Sequence, residues 1–232
     1  MFHPNILRIN IFVKLEKMTN KKSSRVYRSS IRTQAAAATR GVILAAARQL
    51  FLQRGYVGAT MQDIASSAGI ALDTVYASVG RKPAIFRLIV ETAISGDDNP
   101  IPAEQRDHVV AIRAEPTADR KLMIYAEALI DIHKRLAPVF RVLEAASLVE
   151  PDLKALWEEI AGRRAANMRL FAENLASTGA LRKDLSVNEA ADIIWSMNSP
   201  EFYLLLVEQR RWSPQEYATW LADAWKRLLL CK

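Results

Sequence analysis

Apolar residues recur at helical spacing along most of the chain, and no segment alternates as a half-buried strand would. Over residues 33–54, Ile43, Ala46, Ala47, Leu50 and Phe51 form one apolar stripe, and Gly55 closes that helix. Thr60-Met-Gln-Asp63 reads as a capped start. The short helix behind it turns Ile64 and Ala65 inward and stops at Ala68-Gly69. A third helix runs from about Ala71 to Ser78, with Val75 and Val79 facing the same core and Ile70 packing at the turn. After Gly80, Pro83 suits a first helical turn, and Ile85, Phe86, Ile89 and Val90 stripe a fourth helix. It fades at Ser95-Gly96-Asp97-Asp98-Asn99-Pro100, the clearest boundary in the chain.

Helices continue beyond that boundary. Residues 117–136 carry Leu122, Tyr125, Ala126, Leu129, Ile132 and His133, and Pro138 is expected to open a separate short helix through Leu143. Pro151 opens a long helix ending near Gly179. Ser186-Val-Asn-Glu189 and Ser213-Pro-Gln-Glu216 are two capping boxes, and between them Pro200 must kink or restart its helix. The expectation is an all-α protein in three parts: a basic arm over 1–32, a helix-turn-helix domain over 33–98 and a larger helical domain over 99–232.

Composition narrows the class. The 232 residues include only 8 Gly and 9 Pro, which disfavours a many-turned β-fold. The single cysteine, Cys231, rules out an internal disulfide framework and a Cys-based zinc cluster. Arg8 and Lys14 interrupt the partly apolar first 20 residues, no stretch approaches 18 uncharged apolar residues, and a cytoplasmic protein without a membrane partner is expected. Met18 offers a second possible start. The net charge of +7 is unevenly placed: residues 1–60 hold 11 Lys and Arg against Glu16 alone, while the rest is slightly acidic. Such asymmetry suits either a polyanion partner at one end or a solvated basic tail.

Two short helices around Gly69 form a helix-turn-helix pattern, in which the second helix enters the major groove while flanking groups grip phosphate. Its outward positions are Ala71, Leu72, Asp73, Thr74, Tyr76 and Ala77, and the Thr74 and Tyr76 hydroxyls suit phosphate. Lys82 stands at a helix N-terminus, where a cation opposes the macrodipole unless a phosphate sits there; Arg81 adjoins it, and the Thr60 hydroxyl offers a second such contact. Plain structural explanations stand beside these: loop charge for Lys82, packing for Tyr76.

These residues carry a family resemblance. Ile43-Leu-Ala-Ala-Ala-Arg-Gln-Leu-Phe-Leu-Gln-Arg-Gly-Tyr56, Ala59-Thr-Met-Gln-Asp-Ile-Ala-Ser-Ser-Ala-Gly-Ile70, Thr74-Val-Tyr76, Gly80-Arg-Lys82 and Ile85-Phe86 together resemble the DNA-binding domain of the tetracycline-repressor (TetR) family over about residues 40–95. Three positions depart from the family pattern. Ala71 replaces the usual Ser and weakens a cap, Val79 replaces Phe, and Asp73 stands where a small or basic residue is common. An acid there repels phosphate but accepts from cytosine N4.

The resemblance implies a homodimeric transcriptional regulator, usually a repressor, on a palindromic double-stranded DNA operator. It makes 99–232 a regulatory and dimerisation domain whose last two helices, about 187–208 and 214–230, would pair with their mates; Trp195, Phe202, Trp220 and Trp225 are expected both to supply apolar contact there and to fill the monomer core. It also implies an unknown small-molecule effector, with Tyr125, Leu129, His133, Phe140, Trp157, Phe171 and Trp195 as candidate pocket residues; core packing is the competing explanation for each. No cofactor or metal is expected. An enzyme finds no support in the motifs: there are three histidines and neither a nucleophile elbow nor a phosphate-binding Gly loop. The remaining rival is a helical interaction protein with a degenerate DNA-binding head, kept open by Ala71 and Asp73.

Overall fold

A computed structural model describes residues 33–97 and 101–231. The basic arm over 1–32, the Met18 start and the Asp98–Pro100 part of the boundary lie outside the described residues. Helix α1 spans Thr33–Gly58. It is followed by α2 (Met61–Ala68), α3 (Leu72–Val79) and α4 (Lys82–Ser95). The second half contains α5 (Asp107–Ala114), α6 (Ala118–Ser147), α7 (Pro151–Ala176), α8 (Val187–Met197), α9 (Pro200–Tyr203) and α10 (Pro214–Leu229). A π-helical turn, Leu204–Gln209, links α9 to α10. No strand occurs among the described residues, only one bridge between Leu181 and Leu230. The all-α expectation holds.

The local signals act as their chemistry requires. Ser186 and Ser213 each accept from the backbone N–H three residues on, and Glu189 and Glu216 return the bond to the cap's own N–H. Pro200 restarts the chain as α9, with Ser199 as its cap. Two boundaries differ from expectation. Helical hydrogen bonding in α1 continues past left-handed Gly55 to Gly58. Pro138 lies inside α6, which runs unbroken for 30 residues. The packing of Leu136, Ala137, Val139 and Phe140 in the core holds that turn helical despite the backbone N–H that proline lacks.

By length and mean hydropathy α1 meets the measure of a membrane-crossing helix. However, its Ile43, Ala47, Leu50 and Phe51 stripe fills the head's core, and Arg40, Arg48 and Arg54 break its length.

Two apolar cores lie one behind the other. The first joins α1–α4 to the C-terminal half of α6 (Leu136, Val139, Phe140, Leu143) and the start of α7 (Leu153, Leu156, Ile160). The second joins the N-terminal half of α6 to α7, α8 and α10 through Leu122, Ala126, Leu175, Ile194, Tyr217, Leu221 and Trp225. Helix α4 packs on α6. The head is thus seated on the body by shared core rather than by a flexible linker.

Candidate DNA interface and effector cavity

Helices α2 and α3 meet at Gly69, whose φ of 66° is left-handed and suits a residue without a side chain. Its N–H closes on the Ala65 and Ser66 carbonyls, and Ile70 N–H returns to Ala65, so the turn leaves no loose end. Val75 and Val79 pin α3 from beneath, leaving Asp73, Thr74, Tyr76 and Ala77 exposed in one row. Tyr76 is 43% exposed, and its hydroxyl forms no hydrogen bond among the described residues. Leu72 departs from expectation: it is half-buried against the head's core. Ala71 caps α3 with no side-chain hydrogen bond, as its methyl dictates.

Lys82 corrects the sequence reading. Its Nζ donates to the carbonyls of Tyr56 (3.1 Å) and Ala59 (3.2 Å) and sits 4.2 Å from the centre of the Tyr56 ring. The ammonium therefore turns away from the positive N-terminus of its own helix toward carbonyls in the last turn of α1 and just beyond it, where a cation is favourable. Two of its three protons are engaged there. Thr60 is likewise engaged. Its Oγ1 accepts from Asp63 N–H and donates to Asp63 Oδ2 at 2.6 Å, holding the Asp63 carboxyl below its ordinary range. That hydroxyl has no proton left for a phosphate while the box is closed. Arg81, exposed at the start of α4, makes no side-chain cap bond.

The other end of α4 is fixed by a residue the sequence did not reveal. Arg135, on α6, donates from Nε to the Ala93 carbonyl at 3.1 Å. A Cβ on Gly96 would meet the Arg135 guanidinium at 2.7 Å and push it aside, and the Gly96 φ of 77° strains any other residue there. Arg87 and Glu91, one turn apart on α4, pair with Glu159 (2.8 Å) and Arg163 (2.6 Å) on α7. Helix α4 is thus anchored to α1 at one end and to α6 and α7 along the rest.

That same helix borders a cavity of about 730 Å³ between α4, α5, α6 and α7. Five expected residues line it: Tyr125, Leu129, His133, Phe140 and Phe171. Two do not. Trp157 packs against Phe140 with ring centres 4.6 Å apart, in the first core. Trp195 lies beneath the Arg164 guanidinium and donates to the Ala161 carbonyl. Helical spacing places all seven inward without saying which inward face meets a void. Asn198 and Arg164 were missed for the same reason: the Asn198 amide donates to the Tyr125 hydroxyl at 2.6 Å and accepts from Arg164 Nη1 at 2.8 Å, across long sequence separations. His133 is fully enclosed and its Nδ1 has no partner among the described residues, so it is not the satisfied core histidine that its position suggested. Burial, with Arg164 nearby, pushes its pKa down to about 3.

Residues 43–88 match the model of the family described as bacterial regulatory proteins, tetR family. The head is a TetR-family DNA-binding domain. Among curated proteins none matches the chain. Solved structures share the fold of nearly the whole molecule. A TetR-family transcriptional regulator assigned in Mesorhizobium loti is 21% identical, with 84% of this chain and 98% of that chain covered and a TM-score of 0.62. NalD, the secondary repressor of the MexAB-OprM multidrug efflux pump in Pseudomonas aeruginosa, is 16% identical over 84% and 98%, with a TM-score of 0.63. SmeT, solved as a complex with triclosan, is 18% identical over 84% and 93%, with a TM-score of 0.63. At these identities the likeness is one of fold. Within the TetR-type head, Gly69, Thr60 and Lys82 are tied into the scaffold by their own hydrogen bonds, and Asp73, Thr74, Tyr76 and Ala77 stay exposed on α3.

Proposed function

We propose that this protein is a ligand-responsive repressor that binds a palindromic operator as a cytoplasmic homodimer. The observation that carries the reading is the double attachment of α4. Its start adjoins the exposed row of α3, and its Glu91 and Ile94 line the cavity. A ligand that fits the cavity in only one placement of α4 shifts the equilibrium between head positions by its differential affinity. Helix α3 enters the major groove. Asp73 and Ala77 face bases, Thr74 and Tyr76 reach phosphate, and Arg81 with the third Lys82 proton adds backbone contacts. SmeT, which shares this fold, is solved as a complex with triclosan, which supports a small-molecule ligand here.

The dimer contact falls to the face that the monomer leaves apolar. Leu205, Trp220 and Leu228 are exposed there, with Phe202 stacked on Trp220 and Trp212 edge-on to it. Trp225 takes the other of the two roles expected for these aromatics and lies wholly in the monomer core against Tyr125. Trp220→Glu is expected to convert the dimer to monomers in sedimentation with unchanged helical circular dichroism. A variant that still sediments as a dimer would move the interface elsewhere.

Selection of bound sequences from a random duplex pool tests the whole reading. The expected product is a two-fold symmetric site bound in a salt-sensitive manner. Equal affinity for all duplexes would instead favour the interaction protein with a degenerate head. Tyr76→Phe is expected to weaken all duplexes several-fold without changing Tm. Asp73→Ala is expected to change the preferred base at one position of each half-site. An identical selected site would remove Asp73 from base reading.

A further inference from the structure

The charges around the cavity are unequal. Its walls are largely apolar, with Ile94, Leu129, Ile132, Leu136, Phe140 and Ile160 contributing. Arg106, Arg163 and Arg164 also line it, against Glu91 and the exposed Glu104. Glu91 is bonded to Arg163. Neither Arg106 nor Arg164 has a carboxylate within ion-pair distance among the described residues. Arg106 directs Nε and Nη2 to the Ile101 carbonyl. Arg164 uses Nη1 for both of its bonds, to the Trp195 carbonyl and Asn198 Oδ1. Glu201 acts on Arg164 only at longer range, and one of its own carboxylate oxygens is buried without a partner.

Both guanidiniums belong to residues that line this one cavity, and both act on the Tyr125 hydroxyl. The neighbouring His108 and His133 are held neutral by burial and add no further positive charge. Both guanidiniums are half-buried and have only distant carboxylates, Glu91 for Arg106 and Glu201 for Arg164, so a ligand that brings an anion into contact offsets part of their desolvation cost as binding energy. The aromatic wall of Tyr125 and Phe171 would suit a cation if it stood alone, but the adjacent guanidiniums repel one.

We propose that the effector is an elongated apolar molecule ending in a carboxylate, with the carboxylate received by Arg106 and Arg164 and the apolar body lying against α4 and α6. This rests on reading the cavity as the effector site. Guanidinium forks match a carboxylate in two parallel hydrogen bonds. An anion at this place also competes with Glu91 for Arg163, which loosens one of the ties between α4 and α7.

The test uses the full chain and a neutral apolar dye, N-phenyl-1-naphthylamine, displaced by three probes of one length below their micelle concentrations: dodecanoate, dodecanol and dodecyltrimethylammonium. Dodecanoate is expected to displace the dye at concentrations at least tenfold lower than either of the others. Arg164→Met, and separately Arg106→Met, are expected to remove that advantage while leaving dodecanol unchanged; melting curves identify a variant that is merely unfolded, and the other variant then decides. Equal displacement by all three probes, or preference for the ammonium, overturns the carboxylate assignment and leaves the effector cavity standing. A dye that does not bind, together with no stabilisation by any probe, overturns both.

Discussion

Acidification from pH 7 to pH 4.5 is expected to lower the stability of the folded chain by about 4 kcal/mol, because buried His133 and half-buried His108 do not take up the protons that the unfolded chain accepts. Burial pushes His133 down to about 3, with Arg164 adding to the effect. Burial pushes His108 down to about 4, with Arg106 adding and Asp107 opposing. In the unfolded chain both titrate near 6.5. Above that value neither state is protonated and no stability is lost. Below it the unfolded state binds protons first, so stability falls with pH until the folded values are reached. The window is distinct from carboxylate effects: Asp63, Glu189 and Glu216, held low by their caps, act only below the ordinary carboxylate range near 4. Urea midpoints at pH 7 and pH 4.5 measure the change. The double substitution of His108→Gln and His133→Gln is expected to flatten this limb. An unchanged slope in that variant would place the acid sensitivity elsewhere.

Lys82→Met is expected to destabilise the protein by about 2–3 kcal/mol and to weaken every duplex about tenfold, without altering the preferred operator. Two hydrogen bonds from a charged donor, together with a cation over an aromatic ring, account for the stability term. Methionine keeps the length of the stem, so the loss reports the ammonium rather than packing. The DNA term follows from position. Lys82 ties the first turn of α4 to the end of α1, and when that tie is lost the exposed row of α3 no longer has a fixed orientation over the groove. Thermal unfolding and binding to the selected site measure both. An unchanged Tm would show that the bonds to Tyr56 and Ala59 contribute nothing, and a changed base preference would make Lys82 a base reader.

The difference between the two roles of Lys82 shows where one-dimensional reading stops. Spacing alone marks it as a cation at a helix start with an unexplained cost, and that much is correct. That its ammonium reaches back to carbonyls at 56 and 59 depends on α1 and α4 being brought side by side. Pro138 teaches the converse. A local rule ends a helix there, but burial of Leu136, Ala137, Val139 and Phe140 on both sides outweighs one missing hydrogen bond, and α6 runs through. Pocket residues divide in the same way. Tyr125, Phe171 and Trp157 all lie on apolar stripes, and only the packing of three helices decides that the first two border a void while Trp157 fills one.

The chain by itself determined the helical class, the caps at Thr60, Ser186 and Ser213, the turn at Gly69 and the buried and exposed sides of α3, because each depends on residues within a few positions of one another. Tertiary structure alone decided the partners of Lys82, Arg135 and Arg164, the placement of Trp225 in the core, and the unpaired charge of the cavity. Those depend on which helices meet, and the long-range packing that brings residues 26 or 42 positions apart into hydrogen-bond contact leaves no mark in local spacing.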